Sequence, residues 1–431
     1  MRNAEVTCPA GTIIGRSDGT VDIFHSVPYS HIPSDFADAR PAERGLLIDA
    51  TTPQPDKVAL TITRPASARD LDDLPVIVYI HGGRFENGTH EDPRATGYAN
   101  AIQGVIQVQI GYRVRFEGFA RFHDDEPNHY RGIDDCALAL EWIQHNIESF
   151  GGDPTNVTLV GQSAGATAAL WLTRRDHYRG AFRRVVAMSP SFPRASYEQR
   201  RTGVQTAFFG MVATRANMEK ASRARRKAAY NRFRTRHILD IALGPAPLTP
   251  RDMAEVDVVV SSTRDEFYPQ PFAAQADKLG QGAAMVRMLG PAMGLKRDTT
   301  SYWLEHARAI DPRHLAGRFV TDASVRRWVD HVAEHAPGRT WQAELLADDR
   351  SPAYHSRDIR PLFGNNPYVA GDGLNAWLVN YARTGEPGWP EYNAADAKNV
   401  LQVDLSGTND TLSKNPLGYI RHSFTELPTE S

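Results

Sequence analysis

The stretch that decides the fold is Val157-Thr158-Leu159-Val160-Gly161-Gln162-Ser163-Ala164-Gly165, followed by a helix-forming run from Ala164 to Leu172. An apolar strand enters, a sharp turn reverses it, and a helix leaves. In such a G-x-S-x-G elbow the serine is forced into a strained backbone conformation that lifts its hydroxyl above the sheet edge, and the flanking glycines remove side chains that would clash. Ser163 is thereby presented as a nucleophile. Five residues of this kind also describe an ordinary small-residue turn, so the surrounding pattern has to decide.

Upstream, Val76-Ile77-Val78-Tyr79-Ile80 is a strand-length apolar run that ends in His81-Gly82-Gly83. A second run, Val105 to Ile110, is interrupted by Gln107 and Gln109 and ends at Gly111. Runs that are apolar on both faces suit central parallel strands covered by helices. Between them and the elbow, Ile133, Cys136, Ala137, Leu140, Ile143 and Ile147 recur at helical spacing within Ile133 to Phe150. Val185 to Met188 and Val256 to Val260 read as further strands. This alternation predicts an α/β fold with a doubly wound, mostly parallel sheet flanked by helices. Function is expected at the carboxyl ends of the strands, where ligands of open α/β sheets bind.

The bulk properties leave room for this reading and remove others. With 431 residues, 41% hydrophobic and 23% charged, the chain is an ordinary globular sequence. No linker or internal repeat divides it, so one domain over residues 1–431 is expected, with a helical cap insertion at 191–250. A net charge of -2 predicts no nucleic-acid partner. No window reaches the roughly 18 apolar residues of a membrane span, and Met1 to Gly15 lacks the apolar core of a signal peptide, so a cytoplasmic protein without membrane insertion is expected. Two cysteines, Cys8 and Cys136, build no disulfide framework or metal site. Cys136 is read as a small buried hydrophobe. His123 and His129 fall in the polar loop Arg121 to Tyr130 and are not read as metal ligands. The segment Asn217 to Leu243 reads as helical and rich in Arg and Lys, either a solvated cap helix or an anion-binding surface.

A serine hydroxyl needs a base within hydrogen-bond reach and an acid to orient that base. Two later segments offer them: Ser262-Thr263-Arg264-Asp265-Glu266-Phe267, just after the strand Val256 to Val260, and Ala353-Tyr354-His355-Ser356-Arg357-Asp358-Ile359. Asp265 and Glu266 both stand as candidate acids, and His355 as the base.

These segments, together with Phe150-Gly151-Gly152-Asp153-Pro154, Val27-Pro28-Tyr29, His81-Gly82-Gly83-Arg84-Phe85 and Tyr381-Ala382-Arg383-Thr384-Gly385-Glu386-Pro387, resemble the type-B carboxylesterases, the cholinesterase-like branch of the α/β-hydrolases. The motifs run nearly end to end. The resemblance implies a short, bacterial-type member with an α/β-hydrolase fold and a reduced cap. It also implies a serine carboxylesterase that needs no cofactor and acts on a small ester through an acyl-serine intermediate. It places the triad on Ser163, Glu266 and His355, with Asp265 the lesser candidate, and the oxyanion hole on Gly82, Gly83, Arg84 and Ala164.

Several positions depart from that family's pattern. Phe267 replaces the glycine after the acid, Ser189-Pro190 replaces a Ser-Gly, and Pro55-Asp56-Lys57-Val58 lacks the first-disulfide cysteine. The interval between Ser163 and Glu266 is short, which implies a trimmed cap. Arg84 stands where a small residue, usually glycine, is expected. Its backbone N–H survives, while its guanidinium either points to solvent or enters the cleft, where it favours a substrate carrying a carboxylate. Two other functions fit the same segments: a non-catalytic cholinesterase-like binding protein, and a hydrolase of carbamate or amide bonds.

Overall fold

Buried runs that are apolar on both sides make the frame of the molecule. The computed structural model describes residues 2–245, 247–347, 352–404 and 410–427. Its strands are β1 (Arg2–Cys8), β2 (Gly11–Ser17), β3 (Val21–Val27), β4 (Leu60–Pro65), β5 (Leu74–Ile80), β6 (Ile106–Ile110) and β7 (Gly152–Gln162), followed by β8 (Arg184–Met188), β9 (Asp257–Thr263), β10 (Thr340–Leu346), β11 (Asn399–Asp404) and β12 (Thr411–Lys414). They lie side by side in the order β1-β2-β3-β4-β6-β5-β7-β8-β9-β10-β11-β12, with Leu46–Asp49 added along β2. From β6 to β11 every neighbouring pair is parallel. The antiparallel pairs are at the two ends. The elbow strand β7 sits between β5 and β8 near the centre.

Both faces of this sheet are covered, and the alternation along β5 shows how. Val76 and Val78 join one core together with Leu159 and the helix residues Ile133, Ala139 and Ile143. Ile77 and Tyr79 point the other way, into a second core with Val160, Val186 and Leu378, Val379 and Ala382 of the helix Gly373–Thr384. Each fully buried aliphatic side chain contributes about 1.5–3 kcal/mol relative to exposure. The two glutamines that interrupt the β6 run do not break it. Gln107 is buried because its amide donates to the carbonyl of Ala95 and its Oε1 accepts from Asn100 Nδ2 at 2.7 Å.

The helices insert mainly after β8 and β9. Within 191–250, where residue 246 lies outside the described residues, three helices form: Tyr197–Ala207, Arg215–Lys220 and Arg223–Arg234. The single helix expected over Asn217 to Leu243 is therefore broken. Ser222 accepts the N–H of Arg225 and starts a new helix, and the chain is irregular from Ile238 onward. Its basic residues are divided as well. Arg223, Arg225 and Lys227 face solvent, whereas Arg226 is buried against Glu117 and Asp35 and Arg234 meets Glu86 at 3.1 Å. A second helical excursion, unanticipated from the sequence, runs between β9 and β10. It carries its own apolar core around Trp303, Phe319 and Val320.

The turn between β7 and the helix Ala164–Trp171 is packed without slack. A Cβ added to Gly165 would stand 2.0 Å from the carbonyl oxygen of Ile80, and one on Gly161 2.2 Å from that of Gly165. Gly165→Ala is expected to lower unfolding free energy by about 1–3 kcal/mol in a denaturant titration. Gly203→Ala, whose Cβ would first meet Phe233 at 3.4 Å in the helix Tyr197–Ala207, should be neutral or mildly stabilising. Equal midpoints for the two variants would contradict this packing.

Candidate active site

Ser163 leaves the carboxyl end of β7 with φ 55° and ψ -121°, a left-handed backbone that an L side chain rarely adopts. The strain is held from both sides: its N–H donates to the carbonyl of Met188 at 2.8 Å, and its carbonyl accepts the N–H of Thr167 at 3.0 Å in the following helix. Ala164 is the first residue of that helix, so its N–H points out of the N-terminus without an intrahelical acceptor.

Glu266 and His355 come from the loops after β9 and β10, and the two loops are laced together. The N–H of His355 donates to the carbonyl of Glu266 at 3.0 Å, and that of Asp265 to Ala353 at 3.1 Å. The Glu266 carboxylate is fully buried and hydrogen-bonded to His355 Nδ1. Its other oxygen accepts from Ser189 Oγ at 2.6 Å and from the N–H of Thr263 at 2.8 Å. Asp265, the other candidate acid, points elsewhere. It pairs with buried Arg318 at 3.0 Å and accepts the N–H of Ala353, which anchors the histidine loop instead of the imidazole.

With Nδ1 engaged by a carboxylate, Nε2 of His355 is left as the acceptor nitrogen, and the Gln162 amide nitrogen lies within hydrogen-bond distance of it at 3.4 Å. The ring of Phe267 stacks on the imidazole with centroids 5.2 Å apart. Burial pushes the imidazole toward its neutral form, but the charge and hydrogen bond of Glu266 outweigh it, so the pKa stands above the ordinary value; Arg84 opposes. Asp358 is buried on the same loop, and among the described residues no other residue hydrogen-bonds its carboxyl oxygens. Burial, and then the charge of Glu266, push its pKa up to about 7.

Ser163, His355 and Arg84 line one cleft of about 90 Å³. Gly82 packs close to the serine: a Cβ there would lie 3.2 Å from Ser163 Cβ. Among the described residues, the N–H groups of Gly83, Arg84 and Ala164 donate to no protein acceptor. Arg84 does not run free into solvent. Its Nη2 donates to the carbonyl of Asp240 at 2.6 Å and its Nε lies 3.4 Å from Glu86. A larger cavity of about 760 Å³ lies against Val186, Val259 and Trp377 and includes neither Ser163 nor His355, so we place the site at the smaller cleft. Away from it, His129 pairs with Asp134 at 2.8 Å and Asp38 at 3.1 Å.

With this geometry in view, the comparison with known proteins is decisive about ancestry. A profile described as "Carboxylesterase family" matches residues 49–290. The chain belongs to the carboxylesterase family. It is 25% identical to the para-nitrobenzyl esterase of Bacillus subtilis (strain 168) over 96% of this chain and 98% of that protein. It is 26% identical to a probable N-octanoylanthranilate hydrolase of Rhodococcus erythropolis, covering 89% and 94%. A carboxylesterase structure from Geobacillus stearothermophilus superposes with a TM-score of 0.80 at 21% identity, over 98% of this chain and all of that one, and shares the α/β-hydrolase fold. This carboxylesterase is an ester hydrolase built on that fold.

Several partners of the site were out of reach of the sequence reading. In the sequence Ser189 and Phe267 stand out only as departures from a motif, yet one hydrogen-bonds Glu266 and the other stacks on His355. Arg194 and Asp240 carried no local signal at all. The electrostatics make a measurable prediction. In histidine NMR titrations the His355 imidazole should titrate above about 6.5, and Glu266→Gln should move the midpoint down, since burial and Arg84 are then opposed by the weaker influence of Asp358. An unchanged midpoint would show that Glu266 does not set this ionisation.

Proposed function

We propose that this carboxylesterase is a serine hydrolase that cleaves carboxylic esters through an acyl-serine intermediate, with Ser163 as nucleophile, His355 as general base and Glu266 as the acid that orients it. The observation that supports it best is the buried Glu266 carboxylate on His355 Nδ1, which orients the imidazole in the cleft that also holds the strained Ser163. The imidazole takes the hydroxyl proton as Oγ attacks the ester carbonyl, then returns it to the departing alcohol. Water repeats the cycle on the acyl-enzyme. Negative charge on the carbonyl oxygen is met by the N–H groups of Gly83, Arg84 and Ala164, each worth about 2.7–4 kcal/mol of barrier, while Gly82 keeps the wall thin enough for the carbonyl to approach.

The relative whose name specifies an N-octanoyl substrate supports a second reading, the same machinery acting on an N-acyl bond. A binding protein without activity is the third, and the intact constellation of serine, histidine and carboxylate speaks against it. A fluorophosphonate followed by peptide mapping separates them: labelling of Ser163 with turnover of p-nitrophenyl esters supports the esterase, labelling without ester turnover the N-acyl reading, and no labelling the binding protein.

Ser163→Ala and His355→Ala should each lower kcat by about 10⁴–10⁶, and the double variant should lose little more. Because the base must be neutral, kcat/KM should rise with pH as His355 loses its proton, with a midpoint above the ordinary imidazole value. Multiplicative losses, or activity that falls across that range, would count against this assignment.

A further inference from the structure

The cleft beside Ser163 is walled by apolar side chains, among them Phe192, Phe267, Val320 and Trp328, yet two arginines open into it, Arg84 and Arg194. Arg194 lines this cleft with a side chain that is 27% accessible. Its Nη2 donates to the carbonyl of Leu239, and its Nε stays 3.9 Å from the nearest Asp240 oxygen. Asp240 has little left to offer. Its carboxylate already pairs with Arg200 and accepts the N–H groups of Ile241 and Arg194. Glu86 is divided in the same way between Arg84 and Arg234.

Four guanidiniums thus share two carboxylates around this cleft. The surplus is felt by neighbouring groups. Burial and Arg194 together push Arg327 down to about 10, and Arg84 works against the proton on His355. An excess of positive charge against apolar walls, where water screens poorly, is a place for an anion. A guanidinium with unused donors offers a carboxylate two parallel hydrogen bonds.

We propose that Arg194 and Arg84 form a carboxylate-recognition site beside the nucleophile, and that the substrates are short esters carrying a second, ionised carboxylate, such as half-esters of dicarboxylic acids. This rests on the ester-hydrolase reading above. The substrate's free carboxylate docks on the Arg194 guanidinium while its ester carbonyl lies against Ser163. The bond broken is the ester C–O alone, with water supplying OH to the acyl carbon and H to the alcohol. The small volume of the cleft, about 90 Å³, restricts the acyl part to a few carbons.

The test compares methanol release from monomethyl glutarate and methyl pentanoate, which differ chiefly in the terminal carboxylate, using wild type and Arg194→Gln. The expected result is a wild-type kcat/KM ratio favouring the half-ester at least tenfold, a ratio that shrinks at least tenfold in Arg194→Gln and with added salt. Fluorophosphonate labelling of the variant at the wild-type rate shows that its site is intact, and slow labelling moves the comparison to Arg194→Lys, which should keep part of the preference. Good turnover of methyl pentanoate with a ratio at or below one overturns this proposal and leaves the esterase standing. A preference unchanged in Arg194→Gln overturns the assignment to Arg194. No turnover of either ester and no labelling of Ser163 removes the esterase reading, and this inference with it.

Discussion

The approach of the Ile80 carbonyl to the helix that begins at Ala164 governs this structure. At Gly165 there is no room for a single methyl group, and at Gly161 the same is true against the helix itself. The turn is therefore as tight as backbone allows, and Ser163 is held at positive φ between a strand partner, Met188, and the first turn of a helix. Strain of this kind, of order 1–3 kcal/mol, persists only where the surroundings over-determine it. Here the surroundings are a buried strand near the centre of the sheet, paired on each side by a parallel neighbour. The serine is held by that frame, and the loop that ends at Arg84 leaves from the neighbouring strand β5.

The rest of the candidate site is held by buried charges that are paired. Glu266 is out of water, yet each of its oxygens is occupied, by Ser189 and Thr263 on one side and by the imidazole on the other. Asp265, its neighbour in sequence, is equally buried but is used to tie two loops together through Arg318 and the N–H of Ala353. Adjacent carboxylates thus point in opposite directions and take opposite jobs. Asp358 differs: among the described residues no other residue hydrogen-bonds its buried carboxyl, and burial favours the neutral form.

Two helical excursions from the ends of β8 and β9 close over this centre and give it its character. The first contributes Ile238 to Ile241 and the second Val320, Ala323 and Trp328. The irregular stretch after the helix Arg223–Arg234 matters more than the helix itself, because it brings the Asp240 carbonyl and carboxylate against Arg84, Arg194 and Arg200. The cleft is in consequence apolar in its walls and positive at its rim.

Much of this was legible in the sequence wherever the determining interactions are local. The alternation of apolar runs and helical periodicity specified a doubly wound sheet, because strand and helix periods are properties of a few consecutive residues. The elbow marked Ser163 for the same reason, since the steric demand on its glycines is met within five positions. Family motifs then singled out His355 and Glu266. The use of Asp265 to tie the histidine loop down, the pairing of Ser189 with Glu266, the stacking of Phe267 and the convergence of Arg84 and Arg194 on Asp240 belong to the tertiary structure alone. Each depends on which loops the sheet order sets side by side, and on which buried charge finds a partner there. Those are contacts between residues distant in the chain, and no pattern in a short window encodes them.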